Sequence, residues 1–173
     1  MPKPSQHISH FLIGIPASGK STFACWLQRQ TGAMIISTDQ IRDRLYGDVQ
    51  IQGHWPDIEA VVLTQISQAI AQHQPVIYDA TNTNHLWRNE FLQRCPPLTW
   101  LAWYLDLPVQ LCLARNQRRS RQVPPAIIQH MANELAQDPP KETAALPKII
   151  TVKNIDEQTL KALKKQHLQY LGD

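Results

Sequence analysis

The 173-residue sequence predicts an α/β fold: a five-stranded parallel sheet with helices on both faces. Three observations carry this. Short apolar runs recur along the chain, each followed by a segment with helix signals or helical periodicity. A glycine-rich stretch, Gly14 to Thr22 (GIPASGKST), separates the first run from the first helical segment. Acidic residues stand at or just past the ends of three later runs, at Asp39, Asp79 and Asp106. Sheets of this kind bind ligands outside the carboxyl ends of their strands.

Taken in order, Ile8 to Ile15 is the first predicted strand and Ser21 to Gln30 the first helix. Ala33 to Ser37 (AMIIS) is a short buried strand ending in a polar loop, and Gln40 to Tyr46 a short helix. Gly47 to Pro56 holds two glycines and a proline and reads as a loop. Asp57 to His73 is the clearest amphipathic helix. Ile58, Val61, Val62, Ile66, Ala69 and Ile70 form its stripe, Gln65 is the polar exception, and Asp57 is placed to cap it. Pro75 to Tyr78 is the third strand, ending at Asp79. Asn84 to Arg94 is a helix stopped by Pro96-Pro97, and Leu98 to Leu105 is the fourth strand, ending at Asp106. Pro108 to Arg119 is a helix with proline in its first turn. A break at Val123-Pro124-Pro125 precedes a helix to about Leu135. Lys148 to Val152 is the fifth strand, and Asp156 to Leu171 the closing helix, with Gly172 past its end.

Five strands in 173 residues predict one domain, residues 1–173, with a lid expected at about 115–135. No apolar run approaches the roughly 20 residues that span a bilayer. The N-terminus MPKPSQHISH lacks a signal-peptide apolar region, so a cytoplasmic location is expected. Cys25, Cys95 and Cys112 form no CxxC pair and predict neither a disulfide framework nor structural zinc. All three are expected in the core, as are Trp26, Trp87, Trp100 and Trp103. The net charge of +3 is mild, but Arg115, Arg118, Arg119 and Arg121 are crowded together.

Gly14, Gly19, Lys20 and Ser21 match the phosphate-cradling pattern G-x-x-x-x-G-K-[ST], in the strand–loop–helix context that the pattern requires. Glycines let backbone N–H groups turn inward, and the helix N-terminus adds partial positive charge. The stretch Gly14, Ala17, Ser18, Gly19, Lys20, Ser21 and Thr22 is therefore expected to hold a nucleoside triphosphate, ATP. Lys20 would reach the terminal phosphates and the Ser21 hydroxyl would complete a Mg²⁺ site. The fold is then a P-loop NTPase-type three-layer sandwich.

Phosphoryl transfer asks a protein for charge neutralisation, an in-line acceptor and exclusion of water. Asp39 could take the proton of an attacking hydroxyl, or cap the helix that follows; spacing leaves both open. Arg42, one turn on, could clamp an acceptor phosphate or lie in solvent. Asp79 ends a buried strand where the second acidic residue of phosphate-loop enzymes acts on Mg²⁺; a turn-forming role is the alternative. Asn82 could bond toward the Asp39 region or close the turn. The arginine cluster, at a helix end before a proline break, is expected to form a lid over the triphosphate. Trp55 and His54 lie in a loop, and packing of Trp55 against the long helix is expected over base stacking.

Together STDQIRDRLYGD (Ser37 to Asp48), VIYDATNTN (Val76 to Asn84) and LARNQRRSRQVPPAII (Leu113 to Ile128) resemble the P-loop kinases related to polynucleotide 5′-hydroxyl kinase. The resemblance keeps the motif order over nearly the whole chain. It implies that Asp39 is the general base and that Arg42 and Asn82 serve the acceptor. It implies that Ser21 and Asp79 serve the metal, and that Arg115 and one or more of Arg118, Arg119 and Arg121 clamp the donor, with Lys20, Arg115 and Arg119 acting on the transferring phosphate. The acceptor it implies is the 5′-OH of a nucleic acid or oligonucleotide. The same scaffold would serve a small-molecule or nucleotide-sugar kinase. From another class, a non-catalytic ATP-binding switch is the alternative, against which the full set of candidate catalytic residues weighs.

Overall fold

The computed structural model describes residues 7–171. Five parallel strands, β1 (Ile8–Ile13), β2 (Met34–Ser37), β3 (Val76–Asp79), β4 (Thr99–Leu105) and β5 (Ile149–Val152), lie in the order β2-β3-β1-β4-β5. The α/β fold read from the sequence is the fold found. The register sets Ser37 beside Asp79, Leu12 beside Trp103, and Leu105 beside Val152. The loops after β1, β2 and β3 are thereby brought to one edge of the sheet.

The helices are α1 (Lys20–Thr31), α2 (Thr38–Tyr46), α3 (Trp55–Ala71), α4 (His85–Arg94), α5 (Val109–Gln117), α6 (Pro125–Gln137), α7 (Glu157–Gln166) and α8 (Leu168–Leu171). Successive strand residues face opposite ways, so each strand feeds two cores. On one face Phe23 of α1 packs on Trp103 of β4 with ring centres 5.2 Å apart, and His167, between α7 and α8, meets the same tryptophan edge-on. On the other face Tyr78 stacks on Phe91 of α4 at 4.5 Å, and Phe11 lies against Phe91 and Trp100.

Several local expectations are corrected. Helix α3 starts at Trp55, with His54 at the N-cap position making no side-chain cap bond and Pro56 in the first turn; Asp57 therefore lies inside the first turn and is not the cap. The closing helix is two helices, interrupted at His167. The predicted stop at Gly172 lies outside the described residues. Trp26, Trp100 and Trp103 are buried as expected, but Trp87 is 72% exposed, beside the exposed Leu86. Cys95 and Cys112 are buried and Cys25 is exposed. Helical periodicity places a residue on a helix face, but only tertiary packing covers that face. No helix among the described residues is long and apolar enough to cross a membrane.

Candidate functional site

The glycine loop runs from the end of β1 into α1. Gly14 is forced by contact rather than by torsion: a β-carbon there would lie 2.8 Å from Ser18 Oγ and 3.2 Å from the Leu105 carbonyl oxygen. Its N–H donates to the Thr81 carbonyl at 2.9 Å, tying the loop to the turn after β3. Ala17 sits in the left-handed region at φ 62° and Gly19 at φ 96°. A non-glycine residue in that region carries strain of order 1–3 kcal/mol, kept here by the surrounding loop. Ser18 is buried and Thr22 is exposed.

Lys20 is buried and its ammonium donates to the Ile15 carbonyl at 2.8 Å. Burial lowers its pKa, opposed by the charges of Asp79 and Asp39. Asp79 is buried too, and burial raises its pKa, against the pull of Lys20 and the hydrogen bond from Ser21. The Ser21 hydroxyl donates to Asp79 Oδ2 at 2.9 Å, joining residues 58 apart in sequence. Both groups lie at the sheet edge because β1 and β3 are neighbours.

Asp39 and Arg42 come from α2. The Ser37 hydroxyl, not Asp39, caps this helix, accepting from the Gln40 N–H. The Asp39 carboxylate is thus free of the capping role. Its Oδ1 pairs with Arg42 Nη1 at 3.2 Å and its Oδ2 with Arg121 Nη1 at 3.0 Å. Arg42 also reaches the Gln52 carbonyl at 3.4 Å, and Arg121 the Val49 carbonyl at 2.8 Å.

Asn82 does not reach the Asp39 region with its amide. It adopts φ 50°, which asparagine tolerates, and its Nδ2 donates to the Leu12 carbonyl at 2.7 Å. Arg88, buried in α4, donates to the Asn82 carbonyl at 2.6 Å. The turn after β3 is thus pinned on both sides of the glycine loop's origin.

The arginine-bearing segment divides. Arg115 lies beside the glycine loop: its Nη1 would be 3.9 Å from a β-carbon at Gly19. The charge of Arg119 acts on Lys20. Arg118 is exposed and closes the end of α5. Arg121 pairs with Asp39. Helix α6 is fastened to the turn after β3: Glu134 accepts from Thr83 Oγ1 and Asn84 Nδ2, both at 2.9 Å. His85 pairs with Asp138 at 2.6 Å.

Three features were not read from the sequence. One is the Arg121–Asp39 pair, whose members were both singled out but not joined. The second is Glu134, a polar residue on an amphipathic helix with no motif signal. The third is Ile155, on the turn after β5, which packs so closely that a β-carbon at Gly19 would meet its Cδ1 at 2.3 Å.

Among the described residues no group of three or more His, Cys, Asp or Glu could hold a metal by itself. The Ser21 hydroxyl and Asp79 carboxylate are two adjacent hard oxygen donors. They fit Mg²⁺, which characteristically takes few protein ligands and completes its shell with water and phosphate oxygens. Lys20 uses one of three ammonium protons on a carbonyl, so its remaining donors fit an anionic oxygen.

A family model described as an AAA domain matches residues 10–137, well over half of the chain, and the chain belongs to that family. Among solved structures, the chain is similar to one in the Pnkp1/Rnl/Hen1 RNA repair complex, at TM-score 0.65 and 20% identity, covering 79% of this chain and 46% of that one. It is similar to a sugar kinase from Janibacter sp. HTCC2649 at TM-score 0.65 and 19% identity, covering 91% of this chain and 93% of that one. It is also similar to shikimate kinase from Acinetobacter baumannii in complex with shikimate, at TM-score 0.61 and 18% identity, covering 96% and 94%. These likenesses establish the fold, that of the P-loop kinases. No curated protein matches the sequence.

Proposed function

We propose that this member of the AAA domain family is an ATP-dependent phosphotransferase that moves the γ-phosphoryl group to the 5′-OH of a nucleic acid or oligonucleotide. The observation that carries the reading is Asp39, released from capping by Ser37 and held between two arginines on the edge that also presents Lys20 and the Ser21–Asp79 pair. A hydroxyl-activating carboxylate and a phosphate-holding loop at one sheet edge are the two halves of a phosphoryl-transfer site.

In this reading the backbone N–H groups around Gly19 and the N-terminus of α1 receive the donor phosphates. Lys20 exchanges its Ile15 carbonyl for phosphate oxygen, which also relieves the burial of its charge. Ser21 and Asp79 hold Mg²⁺, which when bound neutralises charge on the donor phosphates. Asp39 accepts the hydroxyl proton and orients the acceptor oxygen. Arg42 binds anionic oxygen on the acceptor, while Arg115, Arg118 and Arg119 close over the donor and Arg115 and Arg119 meet the charge on the transferring group. Asn82 supports the acceptor side by fixing the turn after β3. The whole forms a single domain with a lid over about 115–135.

Incubating the protein with γ-labelled ATP, Mg²⁺ and 5′-OH DNA or RNA oligonucleotides tests this. Label should appear at the 5′ end, and Asp39→Asn should lower the rate at least about a hundredfold while ATP still binds. Label found instead on sugars, hydroxy acids or nucleotide sugars would replace the polymer acceptor by a small molecule. ATP binding without transfer to any of these acceptors would favour a nucleotide-binding switch.

A further inference from the structure

Arg121 lies on the segment 118–124 between α5 and α6, and its guanidinium is engaged by α2 and the loop after it. It donates from Nη1 to Asp39 Oδ2 at 3.0 Å and from Nη2 to the Val49 carbonyl at 2.8 Å. The fork therefore spans two parts of the acceptor side, α2 and the loop after it, from a segment 72 to 82 residues away. Arg42 takes the opposite oxygen of the same carboxylate at 3.2 Å.

An ionised carboxylate offers about four acceptor positions on its two oxygens. One bond to each arginine leaves about two free, so the pairing does not consume the group. Instead it fixes the plane of the carboxylate, which the backbone alone leaves rotatable because Asp39 is not a cap. One restraint is local: Arg42 shares α2 with Asp39, one turn away. The other is remote and travels with segment 118–124.

We propose that Arg121 is a positioning residue that sets the Asp39 carboxylate for the acceptor hydroxyl, and does so only while segment 118–124 lies over the site. The inference rests on the reading of Asp39 as general base. The arginine cluster is thereby divided between two roles. Arg115 and Arg119 belong to the donor side, and Arg121 links closure of the same segment to the acceptor side. Activation of the hydroxyl is in this way tied to closure over the triphosphate.

The test compares the wild type with Arg121→Gln, Arg121→Lys, Asp39→Asn and the Arg121→Gln/Asp39→Asn double variant in the full chain. In transfer from ATP to a 5′-OH oligonucleotide, Arg121→Gln should lower kcat about five- to tenfold with KM for ATP unchanged. Arg121→Lys should recover part of the loss, and the double variant should be no slower than Asp39→Asn alone. A second readout needs no acceptor. Amide hydrogen exchange of residues 118–123 should quicken about two- to fivefold in Asp39→Asn, the size expected of a partly exposed ion pair. A raised KM for ATP at unchanged kcat in Arg121→Gln would make Arg121 a donor clamp and overturn the inference. Unchanged exchange in Asp39→Asn would overturn it too. If Asp39→Asn is inactive and Arg121→Gln retains full kcat, this inference alone fails. If Asp39→Asn retains transfer, the base reading falls and the inference with it.

Discussion

Gly19 is constrained twice, by its φ of 96° and by Ile155 Cδ1 only 2.3 Å from where a β-carbon would stand. Gly19→Ala should therefore weaken ATP binding about tenfold or more. Because the clash is with the end of a flexible side chain, adding Ile155→Ala should recover part of the loss but not the torsional strain. Titration calorimetry on the single and double variants separates the two contributions. His10, fully buried on β1, accepts from Trp103 Nε1 through Nδ1 at 3.0 Å, and its Nε2 has no partner among the described residues. Burial lowers its pKa from 6.5 to about 4. The unfolded chain thus binds this proton near pH 6.5 and the folded chain only near pH 4. The stability contributed by a neutral His10 is fully present above pH 6.5 and is lost as pH falls through that window, by roughly 3 kcal/mol in all. Urea unfolding at about pH 7, 5.5 and 4 should show a shallower loss for His10→Gln than for the wild type. Parallel slopes would remove His10 as the cause.

At the scale of elements, the segment between α5 and α6, proposed above as the lid, is anchored at both ends. Its first end is α5, which starts from β4 at Pro108 and ends near the glycine loop. Its second end is α6, which Glu134 fastens to Thr83 and Asn84. Asn84 does two jobs there: its Oδ1 caps α4 through the Trp87 N–H, and its Nδ2 donates to Glu134. Asn84→Ala should cost about 1 kcal/mol through the lost cap alone, and more through the bond to Glu134. A double-mutant cycle with Glu134→Gln, read by chemical denaturation, should give a coupling of at least about 0.5 kcal/mol. A coupling of zero would mean that α6 is held by its apolar face and not by this contact. In sequence, four arginines and a proline break singled out the segment between α5 and α6 that we propose as a lid. Its anchoring was not legible, because Glu134 and Thr83 are 51 residues apart and no local pattern relates them.

At the scale of the whole molecule, parallel pairing brings the candidate site residues to one edge of the sheet. Binding at that edge stabilises everything beneath it by mass action. ATP with Mg²⁺ at about a hundred times its Kd should add about 2.7 kcal/mol to unfolding free energy, and Lys20→Ala should abolish the gain. Denaturation with and without nucleotide checks both. The strands, the glycine loop and most helix positions were legible because each rests on a local pattern: an apolar run, a glycine motif, a helical stripe. Trp87 was misread as core for the complementary reason. Its place within a helix is local, while its 72% exposure depends on which faces other elements cover.

By itself the sequence determined the α/β class, the glycine loop at Gly14 to Ser21 and the places of Asp39 just past β2 and Asp79 at the end of β3, because torsion, periodicity and motif spacing act over a few residues. Only the tertiary structure decided which partners those residues meet. Ser21 reaches Asp79 because β1 and β3 are neighbours in the sheet. Ser37, rather than Asp39, caps α2. Asp39 stands between Arg42 of its own helix and Arg121 of the segment between α5 and α6. The physical reason is that a charge pair is made by distance in space, and packing of the sheet and helices brings residues 82 apart in the chain to 3.0 Å.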